Sequence, residues 1–79
     1  MKARQPQLSA VEAKARLLAV FERNAHTELT IGGSAYLAGI TYSQACRNLR
    51  YLAADGELLR RPRGGMAWYR INPRRRRAA

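Results

Sequence analysis

The chain is poor in everything that builds reactive chemistry. Cys46 is its one cysteine and His26 its one histidine. An intrachain disulfide is therefore excluded, and a zinc site, which draws four ligands largely from these two residue types, has no set to draw on. Carboxylates are equally scarce: Glu12, Glu22, Glu28, Asp55 and Glu57 are the five, and they are scattered. With no nucleophile beside a base and no acidic pair, the sequence predicts no enzyme, no metal and no cofactor. His26 then reads as a surface or helix-end residue, and Cys46 as a small, half-buried one. Long apolar runs are missing too, none approaching the ~20 residues of a membrane span. Residues 1–7 carry Lys2 and Arg4 but lead into no apolar stretch of secretory length. These absences predict a protein of the reducing cytoplasm with no membrane partner.

What the chain does have is positive charge. Fifteen Lys and Arg face the five acids, for a net charge of +10 and a pI near 11.3 over 79 residues. That imbalance predicts a polyanionic partner. Thirteen of the fifteen cations are arginine, whose planar fork fits phosphates and guanine edges, so nucleic acid is favoured over a membrane surface. The length suits one small domain.

The organising stretch runs from Ile40 to Gly56. Thr41 and Gln44 make a Thr-x-x-Gln capping box, and Gly56 supplies a left-handed helix end. In between, Ala45, Leu49 and Leu52 form one apolar stripe at i, i+4, i+7, with Ser43, Arg47, Arg50 and Ala54 opposite. One face anchors and the other offers two arginines.

Ahead of it, Ser9 and Glu12 form another capping box, with Leu8 placed for a hydrophobic staple. Val11, Ala15, Leu18 and Phe21 or Glu22, widened by Leu17, predict a first helix over residues 10–24. Leu29-Thr30-Ile31 is β-prone and short, able to add an edge strand. Gly32-Gly33 reads as a break before a short second helix capped by Ser34 or Thr30 and ended by Gly39. No Gly-Lys-Ser/Thr follows these glycines, so a phosphate loop is not indicated. A short helix, a glycine, and a capped helix at once afterwards are the sequence form of helix-turn-helix.

After Gly56, residues 57–61 are half apolar, Pro62-Arg63-Gly64-Gly65 reads as a turn, and Met66-Ala67-Trp68-Tyr69-Arg70-Ile71 reads as a strand. Alternation puts Ala67, Tyr69 and Ile71 on one face and Met66, Trp68 and Arg70 on the other. The expected fold is α+β: a winged helix-turn-helix of three helices and a two-stranded wing, with room for a short third strand. Residues 1–7 read as a loose basic arm, 8–73 as the domain and 74–79 as an arginine-rich tail, disordered until it meets an anion. In such a fold Tyr42, Ser43, Gln44, Arg47 and Arg50 face the major groove. Arg47 suits guanine and Gln44 suits adenine, with Tyr42 and Arg50 nearer the backbone. Arg60, Arg61 and Arg63 of the wing, and Arg74, Arg75, Arg76 and Arg77, are expected to hold phosphates.

The residues 40–45 with Leu49, Leu52 and Gly56, and then residues 61–69, resemble the FaeA/PapI family of small winged-helix regulators of bacterial fimbrial operons. Gln44-Ala45 and Gly65-Met66-Ala67 carry the more specific part of that likeness. The resemblance implies a transcriptional coregulator that binds double-stranded DNA beside a larger regulatory protein, the leucine-responsive protein, in the bacterial nucleoid. From the residues alone, an RNA-binding module and a protein-interaction module stay open. No heptad or long apolar face marks a dimer seam, so a monomer or weak homodimer is expected.

Overall fold

The computed structural model describes residues 9–75. The staple expected of Leu8, the arm 1–7, and Arg76 and Arg77 of the tail lie outside the described residues. Three helices, α1 (Ala10–Arg23), α2 (Ile31–Ala38) and α3 (Tyr42–Ala54), are joined by a two-residue strand β1 (Leu29–Thr30) and followed by β2 (Leu58–Arg63) and β3 (Met66–Ile71). The strands form one antiparallel sheet in the order β1-β3-β2.

Every helix begins on a hydroxyl. Ser9 Oγ accepts the Glu12 N–H at 3.1 Å, Thr30 Oγ1 accepts that of Gly33 at 3.0 Å, and Thr41 Oγ1 accepts that of Gln44 at 3.1 Å. In α3 the box is complete, because the Thr41 N–H donates back to Gln44 Oε1 at 3.3 Å. Thr30 is thus the cap of α2, and Ser34 is buried inside that helix, donating to the Ile31 carbonyl at 2.9 Å. Gly32-Gly33, expected to interrupt the chain, instead lies within the first turn of α2. The cap explains this: it draws the Gly33 N–H onto Thr30, so closely that a Cβ at Gly33 would meet Thr30 Oγ1 at 3.2 Å.

The core gathers Leu17, Val20 and Phe21 of α1, Ala35 and Ala38 of α2, Ala45, Leu49 and Leu52 of α3, and Leu58, Tyr69 and Ile71 of the sheet. The α1 face differs from the expected one. Val11 is 78% exposed and Ala15 is also exposed, while Ala13 and Leu17 are buried. Residues two apart lie on nearly opposite sides of a helix turning 100° per residue. The set 13, 17, 20, 21 places Phe21 beside Leu17 and Val20 and so buries the bulkier side chains. Along α3, Asn48 joins the expected stripe at 2% exposure, its Nδ2 donating to the Gln44 carbonyl at 2.9 Å. That bond offsets part of the penalty of burying an amide.

The wing differs at its tip. Pro62 and Arg63, expected in the turn, belong to β2 and pair with Ala67 and Met66. The turn is Gly64-Gly65 alone, with φ of 60° and 79°, the left-handed pair that a two-residue hairpin turn of matching twist requires. Pro62 fits the strand because β2 is an edge, where a missing N–H need not cost a ladder bond.

The chain beyond β3 is fastened by Asn72, whose Nδ2 donates to the Gly56 carbonyl and whose Oδ1 accepts the Arg74 N–H, both at 2.9 Å. Arg75, expected in a loose phosphate-binding tail, is part of the domain. Its N–H donates to the Asn72 carbonyl at 3.0 Å, and its guanidinium bridges Glu22 at 3.1 Å and Glu57 at 3.3 Å. With partners on α1 and ahead of β2, the side chain is only 9% exposed.

Candidate nucleic-acid interface

Gly39, at φ 70°, stops α2, and the chain needs only Ile40 and the Thr41 cap before α3 begins. This tight turn holds α3 across α2 while Ala45, Asn48, Leu49 and Leu52 anchor it from below. Helical rotation then leaves Tyr42, Ser43, Cys46, Arg47, Arg50 and Tyr51 together on the outward side, lining a shallow depression of about 470 Å³. Ser43, Arg47 and Arg50 are exposed and Cys46 is half-buried. Tyr42 and Tyr51 stand out at 61% and 53% exposure, one near each end. Tyr51 carries no motif of its own in the sequence, yet it lies four residues after Arg47 and continues the same row.

The electrostatics of this face follow from where the acids are. α3 contains none. The ion pairs among the described residues join Lys14 to Asp55, Arg61 and Arg63 to Glu28, and Arg75 to Glu22 and Glu57. Arg47 and Arg50 take part in none of them, so their charge is offset by no neighbouring carboxylate among the described residues. Gln44 is placed differently. Its Oε1 accepts the Thr41 N–H, and a bidentate contact to adenine needs that same oxygen together with the amide N–H. Capping and base reading therefore compete for one side chain.

The wing arginines do not form one cluster. Arg60 stands opposite Tyr69, Arg61 opposite Trp68, and Arg63 opposite Met66. Alternation sends Arg60 to the sheet face that carries buried Tyr69, and Arg61 and Arg63 to the other. Arg63 lies 4.9 Å from the Trp68 ring centroid, within cation–π range. Arg74 is exposed, whereas Arg75 is turned to Glu22 and Glu57. Of the residues expected at the interface, α3 thus brings Tyr42, Ser43, Arg47 and Arg50 together and the wing adds two separate groups.

Among the described residues no three of His, Cys, Asp or Glu are grouped to hold a metal ion, and no helix is long and apolar enough to cross a membrane. What the arrangement can do is present guanidinium, hydroxyl and phenol groups along one rigid helix, with more cations on a hairpin beside it.

In sequence the chain matches no family model and no curated protein. Solved structures do resemble it. Sso10a-2, a DNA-binding protein from Sulfolobus solfataricus, is 26% identical with a TM-score of 0.66, over 84% of this chain and 65% of that one. A possible transcriptional regulatory protein from Mycobacterium bovis, fragment 1–100, is 28% identical with a TM-score of 0.64, over 80% of this chain and 70% of that one. A solution structure of that fragment is described as a homodimeric winged helix-turn-helix DNA-binding domain. The ferric uptake regulator from Francisella tularensis, at 17% identity and a TM-score of 0.70 over 96% of this chain and 61% of that one, shares the fold alone. The chain spans slightly less than two thirds of the length of Sso10a-2 and of the ferric uptake regulator. With three helices and a three-stranded antiparallel sheet, its fold is the winged helix-turn-helix.

Proposed function

We propose that this chain is a DNA-binding transcriptional regulator or coregulator. Its α3 enters the major groove, and the wing and the basic tail lie on the flanking backbone or minor groove. The observation that carries this reading is the outward face of α3, where Arg47 and Arg50 stand exposed on an acid-free helix directly opposite its buried stripe. Arg47 reads guanine through O6 and N7, and Ser43 meets a neighbouring base edge. Tyr42, Arg50 and Tyr51 bear on the sugar-phosphate backbone. Gln44 keeps its capping role. Arg60, Arg74, Arg76 and Arg77 add phosphate contacts that strengthen binding to any sequence. DNA-binding descriptions of the proteins it resembles support the same class. The likeness of Gln44-Ala45 and Gly65-Met66-Ala67 to the FaeA/PapI regulators supports a finer reading, a cytoplasmic coregulator working beside a larger regulatory protein.

The test is selection from a random duplex pool at about 150 mM salt, where purely electrostatic attachment is weakened. Wild-type protein is expected to enrich a short motif. Arg47→Ala is expected to relax one position of it, at a cost of about 1–3 kcal/mol. A single asymmetric site fits a monomer, and a two-fold motif fits a weak dimer assembled on DNA. If Arg47→Ala selected the same motif with the same strength, the assignment of α3 as the reading helix would be wrong.

A further inference from the structure

Two arginines of the wing are already engaged in the free domain. Arg63 Nη1 lies 3.0 Å from Glu28 Oε1, and Arg61 Nε lies 3.8 Å from Glu28 Oε2. Glu28 directly precedes β1, on the opposite side of the central strand β3 from the arginines on β2. One carboxylate therefore reaches across the sheet, past Trp68, whose register partners are Thr30 and Arg61. Trp68 also carries the Arg63 guanidinium against its ring.

The pairing is lopsided. Glu28 has a side chain 21% exposed, and its Oε2 is buried with no hydrogen-bond partner, while Arg61 and Arg63 remain 61% and 56% exposed. A desolvated carboxylate oxygen without a hydrogen bond is poorly compensated. Exposed guanidiniums gain little from such a partner in water. The result is an anion position on the outer face of the wing, built from two exposed forks and an aromatic platform and filled by the chain's own weakly held carboxylate.

We infer that Glu28 holds the place of a backbone phosphate. In the free domain its carboxylate occupies the anion position made by Arg61 and Arg63, and on a duplex the two guanidiniums turn from it to DNA phosphates. This rests on the DNA-binding reading given above. By competing with phosphates for these two side chains, Glu28 lowers the affinity of the wing for every duplex alike.

The experiment measures binding to a short random-sequence duplex across a salt series. Variants are Glu28→Gln, Asp55→Asn as an equal change of net charge elsewhere, Arg61→Gln/Arg63→Gln, and the triple Glu28→Gln/Arg61→Gln/Arg63→Gln. Glu28→Gln is expected to bind about fivefold tighter at low salt. Its plot of log affinity against log salt should steepen by about 0.9 for each phosphate newly held. Asp55→Asn, which frees Lys14 and leaves the wing arginines as they are, should change affinity less than about twofold, as a screened exposed charge does. The gain from Glu28→Gln should vanish when Arg61 and Arg63 are both Gln. No tightening in Glu28→Gln, or a gain that persists without the two arginines, overturns the inference. Thermal melts accompany each variant, and should Glu28→Gln not fold, Glu28→Ser carries the same comparison. If no variant binds duplex, the DNA-binding reading fails, and retention on heparin, a sulfated polyanion, decides the anion site separately. Later elution of Glu28→Gln than of both wild type and Asp55→Asn upholds the site, and co-elution overturns it.

Discussion

The guanidinium of Arg75 ties Glu22 on α1 to Glu57 ahead of β2, which closes the C-terminal end of the described chain onto its first helix. Both carboxylates keep contact with water, so the bridge is worth far less than a fully buried pair. Arg75→Gln is expected to lower the unfolding free energy by about 1 kcal/mol. Urea unfolding measures it, and a change below a few tenths would place Arg75 back among the solvent-facing cations. A run of four arginines in sequence gives no means of telling which one folds back, because the partner on α1 is 53 residues away. The same limit hid Asn48 and Glu28. An asparagine one position before Leu49 looks polar and outward until the helix is rotated onto its core, and Glu28 acquires its role only once β1 is laid beside β3. Arg47 and Arg50 were legible because their placement depends on nothing beyond the helical period and the apolar residues between them.

At the scale of elements, the hydroxyl caps and the glycine stops are local and read as they fold, whereas the Gly32-Gly33 break does not. The Ser9, Thr30 and Thr41 hydroxyls each bond an N–H three residues on, and Gly39 and Gly56 take the left-handed conformation that ends α2 and follows α3. On α1 Leu17 and Phe21 are buried as expected, and the face departs at Val11 and Ala15, which yield to Ala13 and Val20. Two apolar sets at helical spacing compete there, and the winner depends on the sheet and helices that α1 meets. The wing turn misread because composition cannot separate an edge-strand proline from a turn proline. The glycines of α2 offer a test with opposite signs. Gly32 sits in helical backbone with open space where a Cβ would go, whereas Gly39 has φ 70° and only an ordinary contact, Arg16 Nη1 at 3.5 Å. Gly32→Ala is therefore expected to raise stability by about 0.5–1 kcal/mol by restricting the unfolded chain. Gly39→Ala is expected to lower it by about 1–2 kcal/mol through left-handed strain. Thermal melts of the two variants check both signs, and two shifts in the same direction would contradict this account of the turn.

Over the whole molecule the five acids are arranged so as to leave α3 alone. Glu12 receives the Ser9 hydroxyl at the head of α1, Asp55 takes Lys14 just past the end of α3, Glu28 holds the wing, and Glu22 and Glu57 share Arg75. The positive charge of Arg47 and Arg50 is thus undiluted on the face that carries them, in a chain of net charge +10. Two truncations separate the structural from the electrostatic part of the C-terminal arginines. Ending the chain after Arg75 removes Arg76 and Arg77 but spares the bridge. It is expected to weaken binding to all duplexes alike and to flatten the salt dependence by about 0.9 for each phosphate no longer held, with the melting temperature unchanged. Ending it after Pro73 removes Arg74 and the bridge as well, so a larger weakening should come with a destabilisation at least as great as that of Arg75→Gln. Binding isotherms at several salt concentrations, read beside thermal melts of both proteins, distinguish the two effects. A truncation after Arg75 that altered the preferred sequence, and not merely the strength of binding, would show that Arg76 and Arg77 reach the bases and that the division between reading by α3 and holding by the tail is drawn in the wrong place.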